Sequence, residues 1–199
     1  IYIKLEPSLN QLIFNKYGNY IIQILTTRDE SFKKYIIEKS KTEFFALVQD
    51  QYASRILQKL ITVEDCDFKD FCIQKFQKDV RFFVKDLTRT IFTIKLLENS
   101  DDEIINFFGR FVCQNPNLLS KTQYCKRALV SVIPRMQKNL LIKIFTKSKK
   151  YFGEMLNDRF GNYLLQKILK ENLVELKPSL IQIVSLELKN LLTKKNPRL

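Results

Sequence analysis

Tyr17-Gly18-Asn19-Tyr20-Ile21-Ile22-Gln23 returns late in the chain as Phe160-Gly161-Asn162-Tyr163-Leu164-Leu165-Gln166. A looser version, Gln51-Tyr52-Ala53-Ser54-Arg55-Ile56-Leu57-Gln58, lies between them. Tyr17 to Tyr52 is 35 residues, and steps of 36 from there fall on Thr88, Tyr124 and Phe160. One register therefore joins five anchors without a gap, the signature of a repeat architecture.

Positions that did not define the register obey it. Two residues before the anchors stand Asn15, Asp50, Asp86, Thr122 and Asp158. Each side chain can accept from the unpaired N–H groups that open a helix. Five residues before the anchors are Leu12, Leu47, Phe83, Leu119 and Met155. Four after them are Ile21, Ile56, Phe92, Ala128 and Leu164; eight after are Leu25, Leu60, Leu96, Val132 and Ile168. Two later columns, Phe32, Phe68, Ile104, Leu140, Leu176 and Ile36, Cys72, Phe108, Ile144, Leu180, are apolar as well.

Each repeat thus reads as a short helix, a capped middle helix and a third helix. In the second repeat these cover about 42–49, 51–62 and 67–78, with Phe68, Phe71 and Cys72 forming an i, i+3, i+4 stripe. Pro116 closes the third helix of the third repeat. The repeats run 6–40, 41–76, 77–112, 113–148 and 149–184 within one domain, 1–199. Residues 180–193 read as one more third-plus-first helix pair, so 185–199 is a cap or a half repeat. No single repeat can bury its own apolar faces, so the expected class is an all-α stack of repeats, a solenoid.

Composition agrees. Hydrophobic residues are 45%, too many for a disordered chain. Four Gly and five Pro would starve a many-stranded β fold of turns. The absence of His excludes Ser-His-Asp and Cys-His catalysis and His-containing zinc sites. Cys66, Cys72, Cys113 and Cys125 form no C-x-x-C pair and read as reduced intracellular thiols. The pair Asp101-Asp102 opens a helix, where it complements the dipole rather than doing acid–base work. The chain is therefore expected to be no enzyme, with no metal, cofactor or small-molecule substrate. No apolar run reaches the roughly 20 residues that span a membrane. A formal charge of +13 points to a polyanionic partner, against the plainer reading of a Lys-rich solvated surface.

The middle helix carries the candidate site. With the residue two after the anchor at 0° and about 100° per residue, Asn19 stands at 0°, Gln23 near 40° and Tyr20 near 100°. Ile21, Ile22 and Leu25 fall between roughly 200° and 300°. Asn19, Tyr20 and Gln23 are thus expected as one exposed stripe opposite a buried one. Ser54, Arg55 and Gln58 repeat it, as do Asn162, Tyr163 and Gln166. Asn, Ser and Gln can bond the edge of an unpaired base, and Tyr and Arg offer flat faces for stacking. Lys16 and Arg159 lie on the same face, and Lys59, Lys95 and Lys167 flank it, placed for phosphates. The plainer alternatives are solvated Asn side chains and tyrosines packed between repeats. Gly18 and Gly161 sit inside helices at ~1 kcal/mol each against Ala, a cost that close helix packing explains better than room for a base.

At these residues the sequence resembles the Pumilio (PUF) family of RNA-binding proteins. The segments 17–23, 160–166 and 50–58 look like that family's recognition helices, and the period matches. The resemblance implies a right-handed, crescent-shaped α-solenoid with single-stranded RNA on its concave face, one base per repeat, running antiparallel to the repeats. By that resemblance Asn19 with Gln23, and Asn162 with Gln166, would favour uracil, and Ser54 with Gln58 adenine. Tyr20, Arg55 and Tyr163 would stack. The third repeat departs from the pattern with Thr90, Ile91 and Ile94. The fourth departs with Lys126, Arg127 and Val130, where Lys126 suits a phosphate and Arg127 loose stacking. The family's domain has eight repeats against five here, so further repeats are one expectation. The implied role is regulation of messenger RNA through its 3′ UTR by a cytoplasmic monomer, with a protein partner possible on the convex face. The alternatives are a nucleolar factor on ribosomal RNA in ribosome assembly, and a helical-repeat scaffold for proteins.

Overall fold

The computed structural model describes residues 6–62, 66–171, 177–178, 181–182, 184–186 and 189. Every regular element among them is helical. In chain order they are α1 (Glu6–Ile13), α2 (Gly18–Arg28), α3 (Glu30–Thr42), α4 (Phe44–Gln49), α5 (Ala53–Thr62), α6 (Cys66–Lys78), α7 (Val80–Phe83) and α8 (Leu87–Glu98). Then come α9 (Asp102–Gln114), α10 (Leu118–Lys121), α11 (Gln123–Val132), α12 (Lys138–Ser148), α13 (Phe152–Leu156) and α14 (Arg159–Lys170). Short 3₁₀ turns, Ile133–Arg135 and Lys149–Tyr151, follow α11 and α12. The short–middle–third order thus recurs, and α9 stops just before Pro116 as the sequence requires. The last expected helix pair, and the column members Leu176 and Leu180, lie wholly or largely outside the described residues.

Contacts group the chain into two compact bodies, Ile1–Ser100 and Asp101–Leu199. In the first, like packs on like: α2 on α5 and α5 on α8 among middle helices, α3 on α6 among third helices. Its core is aromatic. Phe44 meets Phe71 edge-on at 5.3 Å and Phe92 at 5.9 Å, and Phe83 meets Phe76 at 5.6 Å. In the second body α11 packs on α14, α9 on α12 and α10 on α13. Phe108, Leu119, Ala128, Ile144, Met155 and Leu164 are fully buried there.

Nearly all the apolar columns are buried or half-buried. The exception is the first repeat, where Ile21 is 51% and Leu25 39% exposed, although the sequence pattern sets them on the buried side. These two positions face the preceding repeat. The equivalent Ile56 and Leu60 are covered because α2 lies against α5; among the described residues no middle helix precedes α2.

The glycines that follow the first and fifth anchors mark close approaches of backbone to backbone. A Cβ on Gly18 would sit 2.6 Å from the Leu12 carbonyl oxygen, and one on Gly161 2.5 Å from that of Met155. In these two repeats the short helix presses its backbone onto the middle helix, and backbone cannot yield as a side chain can. Alanine would gain about 1 kcal/mol of helix propensity but meet an overpacking cost of about 1–3 kcal/mol. Gly161→Ala is therefore expected to lower stability by up to about 2 kcal/mol in urea unfolding. A stabilised variant would show that the close approach is not needed.

Candidate nucleic-acid interface

All five expected caps are formed. Asn15 Oδ1 accepts from the N–H groups of Tyr17 (2.8 Å) and Gly18 (2.9 Å). Asp50 accepts from Tyr52 (2.8 Å) and Ala53 (2.7 Å), and Asp86 from Arg89 (2.9 Å). Thr122 Oγ1 accepts from Tyr124 at 3.1 Å, and Asp158 Oδ2 from Gly161 at 2.6 Å. Each cap fixes where its middle helix begins, and so which side chains turn to which side.

The exposed stripe differs from the one expected. Its second members face water: Tyr20 is 51%, Ile91 41% and Tyr163 49% exposed, Arg55 is exposed and Arg127 half-buried. The third members Gln23 and Gln58 are half-buried and Gln166 is exposed. The first members are buried: Asn19, Ser54, Thr90 and Lys126 are 0–3% exposed, and only Asn162 is open. On α5 the accessible arc runs from Gln58 near 40° through Arg55 near 100° to Lys59 near 140°. The 0° side faces the seam with the following middle helix, α5 for Asn19 and α8 for Ser54. Among the described residues no middle helix follows α14, which leaves Asn162 open.

The buried first members turn inward. Asn19 Nδ2 donates to the carbonyls of Asn15 and Lys16, both at 2.9 Å, and its Oδ1 accepts from Gln23 Nε2 at 2.9 Å. Thr90 Oγ1 donates to the Asp86 carbonyl. Lys126, expected at a phosphate, is instead held by Asp158, Nζ to Oδ2 at 2.7 Å. Burial pushes the Asp158 carboxyl up, but the Lys126 ammonium and the N–H of Gly161 outweigh it and hold the pKa below the usual carboxylate value. Above Lys126, the Arg127 guanidinium lies 5.5 Å from the centre of the Phe160 ring.

Two open grooves carry the stripe. One, of about 390 Å³, is lined by Tyr20, Gln23, Arg55, Gln58, Lys59, Thr62 and Lys95. Within it Arg55 Nη1 donates to the Tyr20 hydroxyl at 2.8 Å. The other, about 470 Å³, is lined by Arg159, Phe160, Asn162, Tyr163 and Gln166, with Lys167 Nζ 5.7 Å from the centre of the Tyr163 ring. Gln166 Nε2 donates to Asn162 Oδ1 at 2.7 Å. Lys16 is exposed and lies over the Tyr17 ring rather than in either groove. Each groove so combines an amide, an aromatic face and cations.

Thr62 and Phe160 line these grooves without having been expected there. A separate basic groove of about 800 Å³, also not expected, is formed by Lys147, Lys149, Lys150 and Lys189 with Thr146, Gln182, Ser185 and Leu186. Its trace in the sequence is the run Lys147-Ser148-Lys149-Lys150, which gains meaning only when Gln182, Ser185, Leu186 and Lys189 line the same groove.

Capped three-helix repeats with amides, aromatic faces and cations along their middle helices define a helical-repeat protein of the α-solenoid class. Residues 43–75 and 151–185 each match the Pumilio-family RNA binding repeat. The chain is 26% identical over 184 residues to Suppressor protein MPT5 of Saccharomyces cerevisiae, covering 85% of itself and 21% of that protein. It is 23% identical over 178 residues to a Pumilio domain-containing protein, C6G9.14, of Schizosaccharomyces pombe, covering 86% of itself and 26% of that protein. Its fold matches the Puf3 RNA binding domain bound to a Cox17 RNA 3′ UTR sequence, with a TM-score of 0.80, 20% identity, and 94% of this chain on 57% of that one. It also matches PUF-8 in complex with PBE-RNA, with a TM-score of 0.78, 18% identity, and 94% of this chain on 56% of that one. Two of the chain's repeats thus match the Pumilio-family model, and the chain has the α-solenoid fold of the solved Pumilio RNA-binding domains. It spans about a fifth to a quarter of the curated relatives' lengths.

The Lys126–Asp158 pair gives a stability test. Asp158→Asn keeps a cap acceptor but strands a buried ammonium. Breaking a buried pair costs about 3–5 kcal/mol, less when one partner is partly exposed as Asp158 is, so a loss of about 1–2 kcal/mol at neutral pH is expected. Because the carboxyl is held low in the fold, the wild-type advantage is full above the usual carboxylate pKa. It fades as pH falls through the depressed value. Urea midpoints of both proteins, followed from pH 7 into the acid range, should converge; parallel curves would deny the pair this role.

Proposed function

We propose that the chain binds single-stranded RNA sequence-selectively along its middle helices and thereby regulates messenger RNAs through 3′ UTR elements in the cytoplasm. Tyr20, Arg55, Arg127 and Tyr163 stack on bases. Gln23, Gln58, Gln166 and Asn162 meet base edges, and Lys59, Lys95, Lys167 and Arg159 attract phosphates. The observation that carries this reading is the pair of grooves. In repeats one and five an exposed tyrosine stands beside a Gln amide bonded to an Asn, with cations at the rim. Several solved proteins of this fold are bound to 3′ UTR recognition sequences, which supports the reading. Repeats one and five favour uracil. In repeat two the buried Ser54 leaves adenine recognition to Gln58. In repeat three Ile91 and Ile94 offer no hydrogen bond, so the nucleotide there acts as a spacer.

Tyr163→Ala should weaken binding to a uridine-rich single-stranded RNA by about 1–3 kcal/mol, roughly 5- to 150-fold. Its affinity for heparin should hardly change. Equal losses on both ligands, or none, would reduce the interface to unspecific charge. Crosslinking in cells with sequencing of the bound RNA should recover messenger 3′ UTRs; ribosomal RNA in their place would overturn the messenger assignment.

A further inference from the structure

We infer that Asn19 is not a base reader but a positioning residue: from inside the seam it fixes the side-chain amide of Gln23, and Gln23 alone meets the base edge in the first repeat. This rests on the RNA reading above.

The hydrogen bonds leave little choice. Two backbone carbonyls, which can only accept, face one end of the Asn19 amide, so that end is the NH2 and both of its hydrogens are used. The oxygen must then point to Gln23, which turns the Gln23 NH2 inward. What remains for a ligand is the Gln23 Oε1 and one N–H. Asn19 is 0% exposed, so reaching a base would require opening the α2–α5 seam and giving up three hydrogen bonds. The chain of constraint starts at Asn15. Its side chain caps α2 through the N–H groups of Tyr17 and Gly18, and its carbonyl receives both the Asn19 side chain and the Asn19 backbone N–H. A cap at the helix start is thereby linked to the orientation of an amide two turns on.

Repeat five shows what the device adds. Asn162 makes the same bond to Gln166, but it is exposed, and among the described residues no carbonyl accepts from its Nδ2. In repeat one the two carbonyls that take up the Asn19 Nδ2 add a constraint that the Asn162–Gln166 bond alone does not supply.

Binding of oligouridylate and oligocytidylate of equal length to wild type, Asn19→Ala, Gln23→Ala and the double variant tests this. The readout is the uridylate-to-cytidylate affinity ratio, which partial unfolding would not move because it lowers both affinities alike. Asn19→Ala should lower the ratio, and adding it to Gln23→Ala should change the ratio by less than about twofold, the scatter of non-interacting effects. A larger further drop in the double variant would make Asn19 a direct reader. An unchanged ratio in Asn19→Ala alone would deny it any part. A second measurement needs no RNA. The Gln23 side-chain amide protons, followed by NMR in the free protein, should exchange faster in Asn19→Ala; unaltered exchange would overturn the inference. Were wild type to show no preference for uridylate, the RNA reading would fall, and the Gln23 amide would still report whether Asn19 holds it.

Discussion

Helix α5 is held between α2 on one side and α8 on the other, and the interface follows from that double contact. A lone helix trio of this size has too little interior to be stable. Stacked like on like, the trios share one apolar layer, and Ile56, Leu57 and Leu60 fall to 0–2% exposure. In the first and fifth trios the short helix approaches so closely that Gly18 and Gly161 have no room for a Cβ. The same contact decides which side of a middle helix is wet. One flank faces the preceding repeat, the other faces the following one, and only the arc between them is left for a ligand.

Features that depend on neighbours in sequence were legible. The caps at Asn15, Asp50, Asp86, Thr122 and Asp158 need only a short polar side chain just ahead of a helix, and all five are made. The apolar columns were legible because the period repeats them five times over. Ile21 and Leu25 show the limit of such reasoning. A column states what wants to be buried, while burial itself needs a neighbour on that side.

The site was legible in its residue types and not in its orientation. A helical wheel gives the angles between Asn19, Tyr20 and Gln23 but has no origin. The direction of water depends on where the next helix lies, and that is a tertiary fact. Setting the origin at the first triplet member placed Asn19 and Ser54 in solvent; packing rotates the accessible arc by roughly a quarter turn toward Tyr20 and Arg55. Lys126 was misread for a related reason. Its partner Asp158 belongs to the next repeat, and nothing local announces the pair.

A formal charge of +13 therefore overstates what RNA phosphates would meet. Pairs such as Lys39–Glu43, Arg89–Asp86, Arg135–Asp102 and Lys126–Asp158 already cancel within that net value, and the surplus is shared with cations away from the stripe, such as Lys147, Lys149 and Lys150 in the separate basic groove. The cations that line the two grooves, Arg55, Lys59, Lys95 and Arg159, are a small fraction of the 34. Counterion release scales with the phosphates actually neutralised, so an interface of this kind has a shallower salt dependence than its net charge suggests. More of its affinity must come from stacking on Tyr20 and Tyr163 and from amides held in fixed orientations. Those terms, unlike charge, differ from base to base.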